Sequence, residues 1–180
     1  VGGVFSISSQ LAEQARLNPQ RFATIAQRLP DDTPPEYFEA ILRGIADAPI
    51  EYEELVRVCQ KCHSLPGRPC GYGICYALAK RAESSLPEDA FHMVTWYATK
   101  DQQVDTESWR TQLDESLDHH TDPITATGKE LVRGNAAEVI GYLIAHDPDR
   151  VAVFLPALEH LAEDPSIAVR ACTVLALQNI

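Results

Sequence analysis

The stretch FLPALEHLAEDPSIAVRACTVLALQNI, residues 154–180, decides the fold class of this chain. Phe154, Leu155, Leu158 and Leu161 share one helical face, and Ala168, Ala171, Cys172 and Leu175 share another. Asp164-Pro165 reads as the turn between them, with Asp164 placed to cap the second helix and Pro165 in its first turn. Pro156 falls inside the first helix, where a missing donor and a ring clash should bend it. The stretch is a helix hairpin.

The same period runs outward through the chain. Phe22, Ile25, Ala26 and Leu29 form one stripe, and Phe38, Ile41, Leu42 and Ile45 form the next, entered after Pro34-Pro35. Leu55, Val58, Cys59 and Cys62 follow, and PGRPCGYG (66–73) reads as a loop. Ile74, Leu78 and Ala82 mark another helix, and Phe91, Val94, Tyr97 and Ala98 another. A polar helix is expected over 104–117 and a connection over HHTDPITATG (119–128). Val132, Ala136, Val139, Ile140 and Leu143 then lead into the final hairpin. Runs of period two are scarce, so the fold class is all-α.

The helices sort into four antiparallel pairs: 36–48 with 51–64, 74–85 with 88–99, 104–117 with 129–145, and 149–162 with 166–179. One or two further helices precede them. A pair about every forty residues predicts an α-α superhelix, a solenoid. Leu131-Val132-Arg133 and Ala168-Val169-Arg170 repeat one pattern in phase with the pairs.

The final hairpin resembles a HEAT repeat. Leu155-Pro156, Leu158 and Leu161 match its first helix, Asp164-Pro165 its turn, and Val169-Arg170, Ala171 and Leu175 its second helix. The resemblance implies a ladder in which Arg170 reaches the Asp of the same or the next repeat, with Arg133 as the rung one unit earlier. LPGRPCG (65–71), VRGNAAEVI (132–140) and DPSIAVRAC (164–172) together look like the helical-repeat part of large bacterial proteins that carry a signalling-type NTPase module of the STAND/NACHT kind elsewhere. That resemblance implies a scaffold or sensor segment. The chain has no GxxxxGK[ST]; Thr127-Gly128-Lys129-Glu130 lacks the upstream glycine and the following hydroxyl.

Length and charge narrow the function. A chain of 180 residues predicts a single HEAT-like domain over 1–180 with a core that needs no metal or disulfide. Beginning at VGGVFSIS and ending at TVLALQNI inside an apolar pattern, it is expected to be a fragment of a longer protein. Ile167, Val174, Leu177 and Ile180 are the residues expected to be exposed at its end. A formal charge of −11 disfavours coating of nucleic acid, for which Arg16, Arg43, Arg133, Arg150 and Arg170, among others, would have to converge. No apolar run reaches the eighteen or so residues of a membrane helix, and no secretory signal is present. The expectation is a cytoplasmic, non-catalytic scaffold without a cofactor, whose partner is a protein or another domain of its parent chain.

Several constellations suggest chemistry. Cys59-Gln60-Lys61-Cys62-His63 is a literal C-x-x-C-H, the pattern of covalent haem attachment, with Met93 available as a second axial ligand. Cys59, Cys62, His63, Cys70 and Cys75 could instead hold zinc. Against both, Cys59 and Cys62 are in phase with Leu55 and Val58, so helix packing accounts for them as buried thiols. A metal- or haem-binding protein built on this cluster is the alternative reading. Asp118-His119-His120-Thr121-Asp122 offers imidazoles beside carboxylates, but without H-E-x-x-H or G-x-S-x-G it reads as an exposed connection. Asp31-Asp32, Glu51, Glu53 and Glu54 read as acidic helix starts, and Trp96 and Trp109 as packing residues.

Overall fold

The computed structural model describes residues 4–110 and 122–178. Among the described residues, ten α-helices and one 3-10 turn are the regular elements, so the all-α expectation holds. None of these helices is long and apolar enough to cross a membrane. The chain divides into two compact units, Val1–Met93 and Val94–Ile180.

The first unit contains α1 (Val4–Leu17), α2 (Pro19–Arg28), α3 (Pro35–Ala46), α4 (Tyr52–His63) and α5 (Gly71–Ala79). Its boundary falls within α6 (Glu88–Lys100). Proline opens α2 and α3, where its fixed φ suits the first turn and its missing N–H costs nothing. Glu53 and Glu54 lie in the first turn of α4, and Lys61 in its last, each favoured by the helix dipole. α3 packs between α1 and α5, while α2 packs on α4. Alternate helices therefore form two rows. Phe38, Ile41, Leu42 and Ile45 are fully buried, as are Leu55, Ile74 and Leu78. At Gly44 a Cβ would lie 2.2 Å from the Ala12 carbonyl oxygen and 2.6 Å from the Ala15 Cβ, so α1 and α3 meet backbone to backbone.

Two boundaries in this unit differ from expectation. α5 starts at Gly71, inside the stretch 66–73 expected to be a loop. Gly73 is there because the Glu39 carboxylate lies 2.5 Å from where its Cβ would be. α5 also stops at Ala79 instead of residue 85. The chain tightens into turns closed by Arg81 N–H to Leu78 O and Ser84 N–H to Arg81 O, while the Arg81 guanidinium donates to Ala48 O at 2.8 Å.

The second unit contains α7 (Pro123–Glu130), α8 (Val132–His146), a 3-10 turn (Pro148–Arg150), α9 (Val151–Ala162) and α10 (Ile167–Leu177). α10 packs against both α7 and α8, and α9 against α8 and α10. Phe154, Ile140, Leu143 and Ile144 are fully buried there. The outer faces of α9 and α10 leave Val153, Leu155, Ile167, Val174 and Leu177 exposed; Ile180 lies outside the described residues.

Here too the sequence reading needs correction. Residues 101–107 are not helical, because the Asp101 and Asp105 side chains accept the N–H groups of Gln103 and Glu107, at 2.9 and 2.7 Å, in local turns that compete with a helix. Residues 111–117 of the expected helix lie outside the described residues. The stretch 119–128 is not one connection: α7 starts at Pro123, with Asp122 accepting the N–H groups of Ile124 and Thr125. A single residue, Leu131, then separates α7 from α8. That reversal is close enough that a Cβ on Gly134 would sit 2.0 Å from the Gly128 carbonyl oxygen.

Candidate functional site

The polar residues that the resemblance singles out meet at the edge where α8 begins and α9 turns into α10. Asp164 is buried, its side chain 3% exposed, and the Arg133 side chain is 11% exposed. The Arg133 guanidinium grips the carboxylate with both ends of its fork, Nε to Oδ2 at 2.6 Å and Nη2 to Oδ1 at 3.4 Å. Asp164 Oδ1 also accepts the Ser166 N–H at 2.9 Å. Arg170 does not use this carboxylate. Its Nη1 donates to the Asp164 and Pro165 carbonyls, tying down the turn from the other side. Nor is Asp164 the cap of α10. Ser166 is, its Oγ accepting the Val169 N–H at 3.2 Å, which leaves Pro165 outside the helix.

The free end of the Arg133 fork points to residues 101–107, DQQVDTE. Nη1 donates to the carbonyls of Asp101 and Gln103, each at 2.9 Å. Gln103 answers with its own amide: Oε1 accepts the Val132 N–H at 2.9 Å, and Nε2 donates to the Glu130 carbonyl at 3.4 Å. Two residues on, Asp105 Oδ2 accepts the Ser166 hydroxyl at 2.6 Å. The segment lies as a strap across the turn edge. A cavity of about 510 Å³ remains between them, lined by Thr99, Val104, His160 and Pro165 among others. Gln103, Asp105 and Ser166 were invisible as partners in the sequence. The signal that could have found the strap is the spacing Asp101-x-Gln103 and Asp105-x-Glu107, which favours local Asp turns over a helix.

The cysteine cluster lies in the first unit. Cys59 and Cys62 face inward from α4, Cys70 precedes α5 and Cys75 lies within it; all four are fully buried. A hydrogen bond with Cys70, reinforced by burial, pushes the Cys62 thiol far above its ordinary range, and burial does the same for Cys59. Cys59 and Cys62 are held as thiols, which are poor nucleophiles. His63 is half-buried, and desolvation holds its imidazole down to about 4. Met93 is buried as well. Among the described residues, no three or more His, Cys, Asp or Glu side chains are arranged to hold a metal ion. Asp118, His119, His120 and Thr121 lie outside the described residues, and Asp122 serves as the cap of α7. Trp96 and Trp109 are half-buried, the latter under the Arg110 guanidinium at 5.0 Å.

Sequence reasoning missed one titrating group. Burial pushes the Glu39 carboxyl up to about 7, opposed by a backbone hydrogen bond from Gly73 and by the Arg43 charge. Its native form thus holds a proton more tightly than its unfolded form, whose ordinary value is 4.5. Stability should fall as pH rises through this window, because the folded state must give up a proton the unfolded state has already lost. Glu39→Gln is expected to abolish that loss, gaining about 1–3 kcal/mol over the native chain at pH 8 and little at pH 4.5. Urea melts at the two pH values check it; a difference independent of pH would contradict the assignment.

No protein-family model, curated protein or solved structure matches this chain.

Proposed function

We propose that the chain is a HEAT-like helical-repeat segment that serves as a non-catalytic scaffold for a protein partner or for another domain of its parent protein, in the cytoplasm. The observation that carries this reading is the Arg133–Asp164 pair, which joins the start of α8 to the turn of the following hairpin. A contact from one hairpin to the next is what a stacked repeat requires, since each unit buries its polar turn against its neighbour. The two rows of alternate helices in the first unit support the same reading. Charge argues for protein over nucleic acid. The net charge is −11, and Arg133, Arg150, Arg170 and Arg81 all spend hydrogen bonds on backbone carbonyls of their own chain.

Full burial of all four side chains favours packing over a haem or zinc role for Cys59, Cys62, Cys70 and Cys75. Purified chain is expected to give background turnover only on nucleotide, ester and peptide substrates, no Soret absorbance, and less than stoichiometric zinc by elemental analysis. Turnover of about 1 s⁻¹ or more on any of them would reject the scaffold reading; a Soret band or one bound zinc would install the alternative.

A further inference from the structure

The strap 101–107 behaves as a peptide ligand bound to its own protein. It has no regular secondary structure, and its contacts to the turn edge are hydrogen bonds: two carbonyls on Arg133, the Gln103 amide on Val132 and Glu130, and the Asp105 carboxylate on Ser166. Its one aliphatic side chain, Val104, is 78% exposed, so the strap gains little from apolar burial. Glu107 is held at φ +54, a region that side chains with a Cβ avoid. A cavity of about 510 Å³ beside it, lined in part by Gln102, Gln103 and Glu107, remains unfilled. A segment secured by polar contacts, strained at one residue and leaving its groove part empty is readily exchanged.

We propose that the edge formed by Val132, Arg133 and Ser166 is a peptide-binding groove, occupied in cis by residues 101–107 and open in trans to an extended partner segment. The recognition chemistry follows from the contacts. Gln103 and Asp105 are two residues apart, and both side chains bond to the turn edge. A fitting partner presents an amide side chain to Val132 N–H, a carboxylate two residues later to the Ser166 hydroxyl, and main-chain carbonyls to Arg133. Val104 already lines the cavity, so a larger side chain at the position between them would fill more of it. This groove deepens the scaffold reading and rests on it.

The test replaces residues 101–107 in the full chain by a Gly/Ser linker of equal length. Circular dichroism and a cooperative melt establish that it folds. A fluorescent peptide spanning residues 99–108 is then titrated by anisotropy. The linker variant is expected to bind it with a dissociation constant on the order of 100 µM. The native chain should bind at least about tenfold more weakly, because its tethered strap competes at high effective concentration. A peptide carrying Gln103→Ala and Asp105→Ala should lose about tenfold on the linker variant. Absence of binding to a folded linker variant, or equal binding to both chains, overturns the groove. A protein partner that binds both chains equally and is not displaced by the peptide would leave the scaffold reading standing and remove the groove alone. If the variant does not fold, hydrogen exchange of the native chain decides: the Val132 and Glu107 amides should exchange about a hundredfold faster than that of Ile140. Equal protection would mean that the strap does not open.

Discussion

Asp164→Ala is expected to cost about 3–5 kcal/mol, the scale for leaving a buried charge without its partner, and to lower the melting temperature by about 10 °C. The loss has two parts. The Arg133 guanidinium, almost out of contact with water, would keep its carbonyl acceptors but lose the carboxylate it grips. The Ser166 N–H would also lose its acceptor, loosening the turn into α10. A double-mutant cycle with Arg133→Ala isolates the pair, and a coupling of about 1–3 kcal/mol is expected. Urea melts of the four chains measure it. An Asp164→Ala chain within about 1 kcal/mol of native, or two single effects that simply add, would show that the pair is not a structural tie.

Gly44→Val should cost about 3 kcal/mol, the upper end for forcing extra atoms into a packed contact. The obstacle is the Ala12 carbonyl oxygen, 2.2 Å from the new Cβ, and a helix backbone does not step aside as a side-chain tip would. Gly44→Ala gives the sharper test because local preference and packing disagree in sign. Alanine is the better helix former by about 1 kcal/mol, yet the substitution should destabilise, since even one methyl group has nowhere to go. A denaturant midpoint that rises in Gly44→Ala would show that α1 and α3 are not in backbone contact.

What was legible in the sequence is the part set by period. Phe38, Ile41, Leu42 and Ile45 announce α3 because a helix face must be apolar to be buried, and all four are. The misreadings occur where polar side chains contend with the backbone. A helix was expected from Val104, but Asp101 and Asp105 satisfy nearby N–H groups locally, and helical backbone among the described residues resumes only at Trp109. Asp122-Pro123 is a helix-start signal set inside a polar run, and α7 begins there. At the site, pairing partners are far apart in sequence. The resemblance named Arg133, Asp164 and Arg170 as parts of one ladder without pairing Arg133 with Asp164, and Ser166 and Asp105, 61 residues apart, share no local pattern. Glu39 beside Gly73 is of the same kind: only the fold reveals that the glycine makes room for a carboxylate.

The distribution of sulfur gives the molecule its own clock. Four thiols are sealed within the first unit and one, Cys172, within the second, where burial pushes it up to about 11. An alkylating reagent can reach any of them only after the surrounding helices part. The order in which alkylated masses accumulate therefore times the opening of each half of the chain separately, with no dye or tag introduced.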